Sequence, residues 1–140
     1  MEKKNKEYGM VWHHLLVFYY GLIGVLGMIL GPGLIIFSIY MVEPTGVVAG
    51  LLCICIALYA FTVRTSLRNL EAGLIKTLVQ FFIFRMLISF IDVVLAGIIS
   101  NPDAIAVNFE YMIGAIVGTL IAIAINVPYY KKREDMLGSK

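Results

Sequence analysis

Long apolar stretches at roughly 11–42, 47–63, 73–99 and 111–127 are separated by short polar connectors in this 140-residue chain. Crossing about 30 Å of hydrocarbon takes about 20 helical residues at about 1.5 Å each, and every stretch reaches or approaches that length. The pattern predicts an all-α integral membrane protein with four transmembrane helices. Because the connectors are short, consecutive helices are expected to lie antiparallel and adjacent, as an up-down-up-down bundle forming one domain over residues 1–140. Glu43-Pro44-Thr45-Gly46 carries turn chemistry between the first and second spans, and Asn101-Pro102-Asp103 does so between the third and fourth.

The first stretch contains Gly31-Pro32-Gly33. Pro32 has no N–H for the carbonyl of Met28 and its ring crowds that carbonyl, so a kink or break is expected. Either the helix bends and continues to Tyr40, or it ends near Leu30 with a partial segment beyond. Gly24, Gly27 and Gly31 share one face of this helix, with Gly21 close by. In the last span Gly114, Gly118 and Ala122 recur every fourth residue, and Asn126 continues the line. Lipid tails give helices no hydrophobic reason to associate, so small residues act by letting backbones approach. Both ridges are read as helix-packing surfaces, either within one bundle or between protomers.

Charge assigns the sides. The first and third connectors carry only Glu43, Asp103 and Glu110. Lys3, Lys4 and Lys6, then Arg64, Arg68 and Lys76, then Lys131, Lys132, Arg133 and Lys140 all fall on the opposite side. Lys and Arg in short loops resist translocation, so both termini and the middle connector are expected in the cytoplasm. The formal net charge of +2 hides this division. The basic belt suits anionic lipid headgroups, making the bilayer itself the first partner, and no basic stripe interleaved with aromatics points to nucleic acid. Trp12, Tyr129 and Tyr130 mark the inner boundary and Tyr40 and Tyr111 the outer one. Apolar residues make up 61% of the chain and charged ones 14%, outside the usual soluble balance. The first stretch is far longer than a signal-peptide core and is expected to stay as a signal anchor.

The third span holds the costly groups. Arg85 lies near its middle, and Ser89 and Asp92 stand four and seven residues later on the same face. An arginine at mid-bilayer costs at least about 2.5 kcal/mol, so Arg85 is expected to face protein, water or a partner rather than lipid. Arg85 and Asp92 are about 10 Å apart along the axis, too far for a relaxed direct pair. The face reads as an interhelical polar clasp, as a pathway lining or anion site, or as a contact with a separate membrane subunit.

Other reactive side chains point to no chemistry. Cys53 and Cys55, two apart on a helix, diverge and read as apolar thiols. His13 and His14 read as an interfacial anchor, since nothing nearby completes a metal site. No cofactor is implied, and no nucleophile has a matched base at recognisable spacing.

Trp12-His13, Thr62-Val63-Arg64 and Tyr129-Tyr130-Lys131-Lys132-Arg133 resemble a group of small uncharacterised bacterial four-span membrane proteins, some of which carry a zinc ribbon before the first span. Both cysteines here lie inside a span, so that ribbon is absent. The resemblance implies four spans in a bacterial cytoplasmic membrane and no activity. The leading expectation is a non-enzymatic bundle acting as a homo-oligomer or as a subunit of a membrane complex. A small transporter or channel built on Arg85, Ser89 and Asp92 is the alternative, and a membrane-embedded enzyme comes third.

Overall fold

A computed structural model describes residues 10–99 and 104–138. Four helices account for nearly all of them: α1 (Val11–Met41), α2 (Pro44–Asn69), α3 (Leu74–Ile99) and α4 (Ala104–Lys131), followed by a single 3-10 turn at Glu134–Met136. No strand occurs among the described residues, and all four helices are long and apolar enough to cross a membrane. The turn expected at Asn101-Pro102-Asp103 lies outside the described residues, as do Lys3, Lys4, Lys6 and Lys140.

Helix ends differ from the hydropathy boundaries for local reasons. α1 runs unbroken through Pro32 to Met41, so the chain does not end a helix near Leu30. It stops where Val42 turns left-handed (φ 57°), its N–H donating to the Ile39 carbonyl while Glu43 N–H donates to that of Ser38. Pro44 then opens α2, where its missing N–H costs nothing, so Pro44, Thr45 and Gly46 are helical rather than part of the turn. α2 does not stop at Val63 but continues through Arg64 and Arg68 to Asn69, because a charge ends a hydrophobic run without ending a helix. It closes like α1, with Leu70 left-handed (φ 49°) and the Ser66 hydroxyl donating to Glu71 Oε2 at 2.7 Å. α4 passes through Pro128 and ends at Lys131 instead of Val127.

Contacts follow chain order: α1 with α2, α2 with α3, and α3 with α4. The α1–α2 seam is a backbone contact. A Cβ placed on Gly24 would lie 2.7 Å from the Phe61 ring, one on Gly27 2.7 Å from Ala57 Cβ, and one on Gly31 2.9 Å from the Gly50 carbonyl oxygen. From α2, a Cβ on Gly50 would approach the Gly31 oxygen to 2.6 Å, and one on Gly46 would collide with Ser38. The positions ascend in α1 as they descend in α2, so the pair is antiparallel. Gly24, Gly27 and Gly31 therefore face α2 of their own chain. Their counterpart was missed in the sequence: Gly46, Gly50, Cys53, Ala57 and Ala60 repeat at four- and three-residue intervals.

The buried core gathers toward the end where α2 stops and α3 begins. Tyr20, Ala60, Val63, Leu67, Leu78 and Phe81 are its centre, with Tyr20 and Tyr59 edge-on to Phe81 at 5.2 and 5.5 Å. Outward, the helices show large apolar side chains on every flank, such as Phe18 at 69% and Ile98 at 76% exposure. Water would not tolerate such a surface over four helices, and lipid tails match it.

The seam makes a contrast between neighbouring glycines. Gly31→Leu is expected to destabilise the protein in detergent by about 1–3 kcal/mol, because the Gly50 backbone cannot move aside. Gly33→Leu, where a Cβ meets nothing within 4 Å among the described residues, is expected to stay within about 0.5 kcal/mol. Equal losses of Tm for both variants would refute the seam.

Candidate functional site

α3 is apolar around most of its circumference, so its one arginine is placed by helical spacing from the core. Arg85 follows Phe81 and Phe82, both buried, by four and three residues and so sits above them on the same face. Arg85 is exposed, and open space adjoins it on three sides. A cavity of about 330 Å³ lies between Arg85, Met86 and Ser89 of α3 and Tyr111, Gly114 and Thr119 of α4. A second, of about 540 Å³, runs from Arg85, Phe82 and Tyr20 down between α1 and α4 to Trp12 and Asn126. A third, of about 150 Å³, holds Arg85, Ser89 and Asp92 against Leu52, Cys53 and Ile56 of α2. Phe82, Arg85, Gly118 and Ala122 wall both of the first two, so the space is a track along α4 with Arg85 at its crossing point. From Tyr111 to Asn126 that track covers about 22 Å of helix rise.

The polar face is assembled but not closed. Arg85, Ser89 and Asp92 border the third cavity together, yet among the described residues no carboxylate comes within ion-pairing distance of the Arg85 guanidinium. The Ser89 hydroxyl donates to the Arg85 carbonyl at 3.1 Å, so its proton serves its own helix and does not bridge to Asp92. An interhelical clasp is therefore not formed by these three side chains within the described chain. What remains is a cation with five N–H donors facing open space.

The α4 ridge makes this space. A Cβ on Gly114 or Gly118 would meet nothing within 4 Å among the described residues. Here, unlike in α1, missing side chains leave a void instead of a helix contact. Ala122, half-buried, packs beside the core at the track's lower half.

Tyr20 is the candidate site residue that sequence reasoning passed over. It is 0% exposed, it borders the second cavity together with Arg85, and its hydroxyl has no hydrogen-bond partner. A buried orphan hydroxyl costs about 1–3 kcal/mol, so it marks a place where a partner is missing. The available signal was spacing: Tyr20 continues the Gly31, Gly27, Gly24 line at four residues and so shares the inward face.

A hydrogen-bonded layer closes the track at the basic end. Trp12 Nε1 donates to Asn126 Oδ1 at 3.1 Å, and the Asn126 amide donates to the Ala122 carbonyl at 2.8 Å. His13 Nδ1 and the Tyr130 hydroxyl meet at 3.1 Å, both buried. Below this layer the Arg133 guanidinium stacks 3.8 Å above the Tyr129 ring, and Gly138 N–H donates to the Leu70 carbonyl, tying the end of the chain to the α2–α3 connection. Trp12-His13 and Tyr129-Tyr130, separate in sequence, are one structural unit. Asn126 serves Trp12 and not the Arg85 face. Arg64 lies across Gly21. Cys53 and Cys55 are free thiols, the former 3.8 Å from the Gly27 carbonyl oxygen. No cluster of three His, Cys, Asp or Glu side chains capable of holding a metal occurs among the described residues.

No family model, no curated protein and no solved structure matches the chain.

Proposed function

We propose that this chain is a small, non-enzymatic membrane transporter or channel module in which Arg85 holds an anionic group midway across the bilayer. Three cavities converging on an arginine that has no described carboxylate partner carry this reading. A guanidinium offers only donors, and at mid-bilayer it needs an acceptor more than it does in water. Substrate sites of membrane carriers commonly lie at that depth. In reconstituted vesicles, protein-dependent flux across a panel of nitrate, acetate and laurate should fall about ten-fold or more in Arg85→Gln and be partly kept in Arg85→Lys. Unchanged flux of every anion in Arg85→Gln would end this reading.

The charge division argues for an up-down-up-down bundle in a bacterial cytoplasmic membrane, with both termini and the α2–α3 connection inside the cell. The four-span group resembled by the chain fits the same arrangement. A cysteine at Thr45, in a chain without Cys53 and Cys55, should react with an impermeant thiol reagent applied from outside, and one at Ala72 only after permeabilisation. The reverse pattern would invert the assignment.

A homo-oligomer, or a complex with another membrane subunit, is favoured by a separate observation: α4 turns Ile113, Val117 and Leu120, at helical spacing and 47%, 47% and 61% exposed, away from the track. A face of that kind can pack against a further helix in the bilayer. Leu120→Ala should then shift the mass in lipid nanodiscs from oligomer to monomer without lowering Tm. A protein that is monomeric with Leu120 in place would remove this reading.

A further inference from the structure

We infer that the cavity between α1 and α4 takes the apolar tail of a single-chain anionic amphiphile, with its head held by Arg85 and Tyr20. The inference rests on the proposed anion-holding role of Arg85 and adds the chemical class of what is held.

Its two ends differ in chemistry. At the inner end stand the Arg85 guanidinium and the Tyr20 hydroxyl, which lacks a partner. Arg85 borders the open space and donates to a carboxylate or phosphate head there, and the fully buried Tyr20 hydroxyl becomes a second donor when its ring turns toward that head. A cationic or purely apolar occupant would leave the Tyr20 hydroxyl orphaned. From there the walls turn apolar, with Leu15, Phe18, Leu22, Ile121 and Ile125 along the way. An inorganic anion would occupy only the inner end and leave the apolar length of the space without a part in its binding.

Access points the same way. Phe18 and Ile121 are 69% and 54% exposed, so the cavity walls continue onto the outer apolar surface. The basic end is shut by the Trp12–Asn126 bond, so the tail's far end comes to rest against Trp12. From Tyr20 to Trp12 the helix rises about 12 Å, which gives the cavity the length of a chain of medium size. At about 540 Å³ it falls in the usual range for a small-ligand site. Asp92 stands on the other side of Arg85, at the third cavity, and does not border this one.

Trp12 is the single tryptophan, which makes the geometry readable. Dodecanoate brominated at its terminal carbon should quench Trp12 fluorescence strongly in phosphatidylcholine nanodiscs, and dodecanoate brominated beside the carboxylate should quench weakly. Dodecyl phosphate with a terminal bromine should behave like the first, showing that either head serves, and the trimethylammonium analogue should not compete. Arg85→Gln should raise the half-saturating concentration about ten-fold or more, with partial rescue in Arg85→Lys. Tyr20→Phe separates binding from folding: it should weaken binding while raising the Tm of the empty protein, since it deletes an unsatisfied buried hydroxyl. Equal quenching by the two bromine positions, or equal affinity for the cationic analogue, would overturn the inference. Acetate competing as well as laurate would overturn the tail while leaving Arg85 as an anion holder. Indifference of every anion to Arg85→Gln would overturn both.

Discussion

Backbone contact between α1 and α2 is the constraint from which the rest of the arrangement follows. Hydrocarbon gives no drive to bury apolar side chains, so helices adhere through van der Waals contact and through groups that lipid cannot satisfy. Gly24, Gly27 and Gly31 meet Phe61, Ala57 and Gly50 so closely that no Cβ fits between. One face of α1 is thereby used up. The side of α1 turned toward α4 carries Trp12, Leu15, Tyr19 and Leu22, which border the open space that sets the two helices at a distance.

That distance explains why one residue type has opposite effects in two places. Glycine opposite glycine and alanine brings helices together, as in α1 and α2. Glycine opposite a gap enlarges the gap, as at Gly114 and Gly118 of α4. Arg85 depends on the second outcome. Had α4 closed on α3 and α1 as tightly as α2 closes on α1, the guanidinium would have been forced into lipid or into a desolvated contact without a counter-charge.

Particular residues show what could be read from the chain alone. Four long apolar helices were visible because apolar length is a one-dimensional property, and a small-residue face of α1 was visible because glycines at three- and four-residue intervals form a line, whereas its partner, α2 of the same chain, was not. The ends of α2 and α4 were hidden because the apolar stretches end at Val63 and Val127, while the helices run on through Arg64 and Pro128. Arginine sustains a helix, and a proline at the last turn removes little. The shared face of Arg85, Ser89 and Asp92 and the excessive distance between Arg85 and Asp92 were legible from spacing, but that Ser89 does not bridge them was not, since it depends on the Ser89 hydroxyl choosing its own backbone. Tyr20 was hidden differently. A tyrosine in an aromatic-rich helix looks like core until a neighbour is found to be missing at its oxygen.

The Trp12–Asn126 and His13–Tyr130 layer is the counterpart of the α1–α2 seam. Without it, α1 and α4 would have large apolar side chains between them and no directional contact, and nothing would fix how far apart they stand. Two hydrogen bonds between side chains separated by more than a hundred positions supply that distance. Because Asn126 is on the same line as Gly114, Gly118 and Ala122, the bond that sets the gap at the basic end also orients the glycine edge along the track toward Arg85. The space around Arg85 thus has a polar tie at its foot and small residues along its α4 wall, and because both lie on one line of α4 they give that space its claim to be a site.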